Sequence, residues 1–64
     1  MPSAAVVVEG QNVLVHEEDV IGGPLEEGQY IDLFDLKAGG TWVGVVKGYN
    51  SKTREFTVAH CRPR

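Results

Sequence analysis

The segment GQYIDLFDLKAGGTWVGVVKGYNSKTREFTVA, from Gly28 to Ala59, carries most of the information about the fold. It contains three runs of β-branched and aromatic residues separated by two polar turns, and it holds all five aromatic side chains of the chain. Such runs, bounded by Gly, Asn, Ser and Lys, predict three consecutive β-strands. We expect these strands at residues 30–36, 41–49 and 55–61.

Alternation within the runs predicts which side chains are buried. In the first run Ile31 and Leu33 share a purely aliphatic face, which should face the core. The opposite face mixes aromatic rings with a carboxylate and should be half exposed; it holds Tyr30, Asp32, Phe34 and Leu36. In the last run Phe56 and Val58 are expected to point inward.

The middle run places two glycines beside a tryptophan. Trp42, Gly44, Val46 and Gly48 share one face of the expected strand. Glycines at such positions indicate strong curvature, or a second backbone lying close to the strand. This is typical of the corner of a small barrel.

The first 28 residues add two strands and a long loop. Residues 4–8 and 12–16 are β-branched runs separated by a polar turn, which predicts a hairpin. The unbroken run 6–8 indicates that both of its faces are at least partly covered, and another subunit is one candidate for the second cover. Residues 17–28 form a loop anchored by Val20, Ile21 and Leu25, and loops of this length are often functional.

Length and composition limit the architecture to one domain spanning residues 1–64. A single cysteine excludes an internal disulfide, and one Cys with two His residues is little material for a structural zinc site. So small a domain then needs a well-packed barrel, self-association or a larger parent protein. The predicted fold class is therefore all-β, a small five-stranded SH3-like or Tudor-like barrel with a long first loop.

Nine acidic and six basic residues give a formal charge of −3. This charge argues against a protein that binds phosphate backbones, although the basic residues concentrate in the second half and keep a local basic edge open. They are Lys37, Lys47, Lys52, Arg54, Arg62 and Arg64. Neither a signal peptide nor an apolar run of about 20 residues occurs, so we predict an intracellular protein without membrane contact.

The segment Gly28–Tyr49 resembles the Tudor and chromo-barrel domains of the SH3-like group. Their pattern is Gly-x-x-hydrophobic-Asp-x-x-Asp, a glycine turn, then Trp and a hydrophobic strand. The matching residues are Gly28, Ile31, Asp32, Asp35, Gly40, Trp42 and Val45. The resemblance implies an aromatic cage that binds methylated Lys or Arg by cation–π attraction beside a carboxylate. It assigns Trp42, Asp32 and Asp35 to that site, and strand geometry adds Phe34 and Tyr49.

Two other local patterns are similar to known families. Lys37–Gly44 with Gly48 and Tyr49 looks like a segment of the small plasmid-type dihydrofolate reductases, but their Gln-Ile-Tyr active-site run is missing. The strand, glycine turn, strand and Gly-aromatic-Asn order also resembles the first motif of Sm-like RNA-binding rings. The N-terminal helix and basic second motif of those rings are missing here.

The remaining reactive side chains do not predict catalysis or a cofactor. His60 and Cys61 are adjacent on a strand and so point to opposite faces, which argues against a shared metal. Residues 16–19 lack ligand spacing and are expected to be a solvated acidic run. Cys61 lies close to Pro63 and Arg64 without an evident pocket, so nucleophilic catalysis is not expected.

The leading functional hypothesis is a non-catalytic interaction module that binds a protein or peptide, basic or methylated. The expected ligand-binding residues are Asp32, Phe34, Asp35, Trp42 and Tyr49. One alternative is a small structural or assembly protein that forms a homo-oligomer through its barrel edges. Another is an Sm-like or other SH3-like RNA-binding protein.

Overall fold

The computed structural model describes residues 3–21 and 23–64. These residues form five strands and one short 3-10 turn, Glu17–Asp19. The strands are β1 Ser3–Ala5, β2 Val13–His16, β3 Tyr30–Asp35, β4 Thr41–Asn50 and β5 Glu55–Pro63. They hydrogen-bond in the order β1-β3-β4-β5-β2, and because β1 also lies against β2 the sheet curls into a nearly closed barrel. The predicted all-β fold, consistent with a small SH3-like barrel, is confirmed.

The predicted inward faces form the core. Leu33 and Val58 are completely buried, and Ile31 and Phe56 are each 9% exposed. Tyr30 and Phe34, on the opposite face of β3, are 71% and 41% exposed. The buried apolar side chains are Ala5, Val7, Val13, Val15, Ile31, Leu33, Val46, Phe56, Val58 and Ala59. Most of them are Val or Ala, so the core is small even for a chain of this length.

Strand β4 bends strongly, as its glycines predicted. The ladder between β4 and β5 shifts register twice, between Val43 and Val45 and between Val46 and Gly48. At Gly44 a Cβ atom would lie 2.6 Å from Cγ1 of Val58, so this position is where β5 approaches the β4 backbone closely. Register shifts of this kind bend a strand, which lets five strands enclose one core.

The predicted hairpin between the first two strands is wrong. β1 pairs with β3 in parallel, with Ala4 opposite Phe34. β2 pairs with β5 in antiparallel, with Val15 opposite Phe56. The chain does reverse where the turn residues indicated, since Gly10 has φ 82° and the N–H of Gln11 donates to the carbonyl of Val8. Turn residues show where a chain reverses, but they do not determine which strands then exchange hydrogen bonds.

Within the part of the chain that the structure describes, residues 6–8 are fully covered on one face and partly covered on the other. Val7 is buried, whereas Val6 and Val8 are 55% and 49% exposed. The segment follows β1 and keeps its alternation, so that one side reaches the core and the other faces solvent. Val6 and Val8 thus keep about half of their surface in solvent, and cover of this face by another subunit stays a prediction.

The turn between β4 and β5 is stabilised by Asn50. Its side-chain Oδ1 accepts hydrogen bonds from the backbone N–H groups of Lys52 and Thr53, at 2.9 and 3.4 Å. Its carbonyl accepts from the N–H of Arg54, which has φ 60°. Asn commonly stabilises a turn in this way. The result is that Tyr49 lies directly opposite Phe56 in the ladder.

Candidate functional site

An open groove lies between the long loop and the β4–β5 hairpin. Its volume is about 540 Å³, which is within the usual range of roughly 300–1,000 Å³ for ligand sites. Seven residues line it: Glu17, Val20, Gly23, Pro24, Leu25, Tyr49 and Phe56. We call this cavity the loop groove.

Two aromatic rings in tilted contact form the floor of the loop groove. The ring centroids of Tyr49 and Phe56 are 4.7 Å apart, and their planes are inclined at 46°. Aromatic pairs at this distance attract each other beyond the effect of simple burial. Phe56 belongs to the core and is 9% exposed, while Tyr49 is 47% exposed. The core therefore holds the exposed ring in a defined position.

Glu17 places a carboxylate at one end of this floor. The Tyr49 hydroxyl donates a hydrogen bond to Oε1 of Glu17. This hydrogen bond, with a smaller contribution from burial, raises the pKa of Tyr49 above its ordinary value of 10.0. One accepted hydrogen bond leaves further lone pairs on the carboxylate, so Glu17 can also accept from a ligand.

Backbone contacts hold Glu17 in place. Glu17 begins the 3-10 turn, and its N–H donates to the carbonyl of Arg54 at 2.8 Å. The preceding residue, His16, caps the turn, since its Nδ1 accepts from the N–H of Glu18 at 3.1 Å. An exposed ion pair at 3.5 Å joins Glu18 to Arg54 and adds little on its own. The carboxylate thus sits on a short turn tied to the β4–β5 hairpin.

The far wall of the loop groove is apolar. Val20 and Leu25 are half-buried and pack against the core, as their predicted role as anchors requires. Ile21, the third predicted anchor, is instead 52% exposed, although its N–H donates to Oγ of Ser3 at 3.3 Å. Pro24 completes the wall. A side chain entering the groove would meet an aromatic ring on one side and aliphatic groups on the other.

The structure does not bring the three predicted cage aromatics together. Tyr49 lines the loop groove, but Trp42 lies near the other end of β4, seven residues away or roughly 20 Å along an extended strand. Trp42 pairs with Leu33 and packs against the core on the inner face. Phe34 pairs with Thr41 on the outer face of the barrel.

The two predicted acidic residues are also separated. Asp32 lies on the outer face of β3 in an exposed ion pair with Arg64. Asp35 is buried, at 4% exposed, and its Oδ1 accepts hydrogen bonds from the backbone N–H groups of Lys37 and Val7, at 3.0 and 3.4 Å. The bond from Lys37 contributes most to lowering the pKa of Asp35, against the opposing effect of burial. Asp35 thus holds together the turn after β3 and the segment after β1.

Glu17 and Phe56 are groove residues that the sequence does not predict. The period-two pattern places Phe56 in the core, where it does lie, but its pairing with Tyr49 also puts it in the groove floor. The sequence assigns Glu17 only to a solvated acidic run. The available signal is the long loop itself, since its length marks residues 17–28 as a candidate for function.

The described part of the chain offers little other chemistry. No three His, Cys, Asp or Glu side chains of residues 3–21 and 23–64 come close enough together to hold a metal ion. Burial raises the pKa of Cys61, which reduces the thiolate fraction of that half-buried thiol. None of the described helical segments is long and apolar enough to cross a membrane.

The predicted basic-edge residues do not act as one group of free cations. Arg54 pairs with Glu18 and Arg64 with Asp32. Lys47 lies on β4, whereas Lys52 is in the β4–β5 turn. RNA binding in the manner of Sm-like proteins stays a prediction, and the salt dependence of any affinity would test it.

Comparisons of this chain with protein-family models, with curated proteins and with solved structures gave no significant match.

Proposed function

We propose that this domain is a non-catalytic interaction module whose loop groove binds a basic side chain of a partner protein or peptide. The observation that carries the proposal is the arrangement of Tyr49, Phe56 and Glu17, in which an exposed ring held by the core stands beside a fixed carboxylate. A cation over the face of an aromatic ring and beside a carboxylate is attracted by both.

The charge of the surrounding loop favours a cationic ligand. Residues 17–27 contain five acidic residues and no Lys or Arg. Grooves of one sign concentrate ligands of the opposite sign and speed their association. The neighbouring cation Arg54 pairs with Glu18 rather than with the groove carboxylate Glu17.

The apolar wall supports a long side chain with an aliphatic stem. Lys and Arg bury their methylene groups along apolar surface while the charged end stays with polar partners. Val20, Pro24 and Leu25 offer such a surface in the groove that Tyr49 also lines. N-methylation of the ligand would extend the apolar contact and preserve the charge, so methylated Lys or Arg suits the same groove.

The Tudor-like interpretation changes in two respects under this proposal. In the sequence pattern Trp42 supplies the principal cage ring, with Phe34 and Asp32 beside it. In the proposed site Tyr49 takes that role and Glu17 supplies the carboxylate. Tyr49 is the single residue shared by the two sets.

Chemical-shift mapping by NMR tests this proposal. Isotope-labelled protein is titrated with short peptides that contain Lys, trimethyl-lysine, Arg or dimethyl-arginine, and with an acidic peptide of equal length as control. The amides of Glu17, Tyr49 and Phe56 should shift with the basic peptides, and those of Phe34 and Leu36 should not. An absence of shifts with every basic peptide would end the proposal, and so would equal binding of the acidic control.

A further inference from the structure

A second surface, on the opposite side of the sheet from the core, is exposed or half-exposed among the residues that the structure describes. It is the outer face of β3 with its neighbours on β1 and β4, and we call it the β3 outer face. Its apolar members are Val6, Tyr30, Phe34, Leu36, Val43 and Val45. It shares no residue with the loop groove, so a role for this surface is independent of the proposed function.

Strand register places these side chains together. Phe34 lies between Ala4 of β1 and Thr41 of β4. The N–H of Leu36 donates to the carbonyl of Ala5, so the parallel ladder continues past β3 and brings Val6 beside Leu36. Residues opposite each other in an antiparallel pair share a face, which places Val45 beside Tyr30. The apolar side chains of the β3 outer face therefore form one continuous stripe.

We infer that the β3 outer face is the contact surface between two copies of this chain. The exposed apolar area of this face supports a contact between two copies. Tyr30 is 71% exposed and Phe34 41%; an aromatic side chain has about 150–250 Å² to bury, so these two rings leave about 200 Å² in solvent. Leu36 and Val6, 61% and 55% exposed, together with the half-buried Val43 and Val45, add about 150 Å².

That total is close to what a stable dimer takes from each chain. A standard interface buries about 800 Å² per partner, of which somewhat more than half, about 450 Å², is apolar. The methylene stems of Arg62 and Arg64 border the stripe and supply part of the difference. The stripe therefore supplies about three quarters of the apolar area that a standard interface takes from each chain.

The charged side chains on this face also suit a contact with a second copy. The chain as a whole carries −3, but the β3 outer face carries one carboxylate, Asp32, paired with Arg64, and a second arginine, Arg62, opposite Val43. A two-fold axis brings each patch against its own copy, so the patch must not repel itself. Carboxylate and guanidinium groups on the same face satisfy this condition, since Arg62 of one copy can approach Asp32 of the other.

The small core is a further reason to expect self-association. Among the described residues ten buried apolar side chains, mostly Val and Ala, form the core, and Cys61 is a free thiol. Domains of this size commonly depend on a disulfide, a metal or self-association for stability. A second copy on the β3 outer face would also cover Val6, for which the unbroken run 6–8 led us to expect cover from another subunit.

Sedimentation equilibrium of the full chain from micromolar to millimolar concentration tests the inference. The wild-type protein should show twice the chain mass at the upper end. Phe34→Lys and Leu36→Lys should each weaken the dimer about tenfold or more. Leu14→Lys is the matched control, because Leu14 is 57% exposed on β2, opposite Thr57 and away from β3. It should leave the dimer intact.

Circular dichroism establishes whether each variant is folded. If one of them is not, Tyr30→Lys replaces it, because Tyr30 at 71% is the most exposed large apolar side chain of the β3 outer face. A wild-type protein that stays monomeric at millimolar concentration overturns the inference and leaves a different partner as the occupant. A dimer that Leu14→Lys weakens as much as Phe34→Lys does overturns it as well.

Discussion

The ring of Tyr49 lies 4.7 Å from the ring of Phe56, centroid to centroid, across the ladder between β4 and β5. Phe56 is part of the core and Tyr49 is the exposed ring of the loop groove. This contact joins the stability of the barrel to the shape of the groove. Substitutions that loosen the core near β5 should therefore also disturb the proposed binding site.

Gly44→Ala should destabilise the barrel. The new Cβ would lie 2.6 Å from Cγ1 of Val58 and 2.8 Å from Sγ of Cys61. Overpacking of this kind costs about 1–3 kcal/mol. Urea unfolding measures the change, and Gly48→Ala is the matched control because nothing lies within 4 Å of its Cβ position. Equal effects at the two glycines would contradict the close approach of β5 at Gly44.

Leu33→Ala should leave the domain largely unfolded at room temperature. Leu33 is completely buried, and such truncations cost about 2–5 kcal/mol, while a core of this size rarely supplies more than about 3–5 kcal/mol. Leu14→Ala, at a 57% exposed position, should change the free energy of unfolding by less than about 0.5 kcal/mol. Circular dichroism and thermal unfolding distinguish the two, and a well-folded Leu33→Ala variant would show that the core is placed wrongly.

The sequence predicted strand faces well, because alternation is a local property. Ile31, Leu33 and Phe56 are buried where the period of two put them, and the glycines of β4 marked its curvature. The sequence did not predict which strands pair, because β1 pairs with β3 across a separation of 30 residues in the chain. No local pattern encodes that choice of partner.

The candidate site was predictable in smaller part. Tyr49 could be identified from its strand, but its neighbour Glu17 comes from a loop 32 residues away. Asp35 matched an acidic position of the Tudor pattern, yet the structure uses it to accept backbone hydrogen bonds. A carboxylate that stabilises a turn and one that binds a ligand have the same sequence signature.

Asp35→Asn should reduce stability most at neutral pH. The pKa of Asp35 is lowered below 3.8 in the folded protein, so its carboxylate stabilises the fold above the unfolded value and this contribution is lost as the pH falls through the folded value. The difference in urea midpoint between wild type and Asp35→Asn should therefore shrink below pH 3.8. A difference that does not change with pH would contradict the assigned role of the charge.

Tyr49→Phe should remove a phenol whose pKa is raised, so that it ionises only at high pH. The pKa of Tyr49 is raised above 10.0, chiefly by its hydrogen bond to Glu17. The contact therefore stabilises the fold below the unfolded value and is lost as the pH rises through the folded value. Ultraviolet absorbance of phenolate follows this step, which Glu17→Ala should move down in pH. An unchanged titration in Glu17→Ala would show that the hydrogen bond does not form in solution.

The proposal that the loop groove binds a basic side chain is tested by measuring its affinity for a basic peptide. Calorimetry compares wild type with Tyr49→Ala, and Tyr30→Ala is the control because Tyr30 is an exposed tyrosine outside the groove. The claim predicts that Tyr49→Ala raises the Kd about tenfold, the effect of losing one aromatic anchor, and that Tyr30→Ala leaves the Kd unchanged. Equal Kd values for wild type and Tyr49→Ala would contradict it.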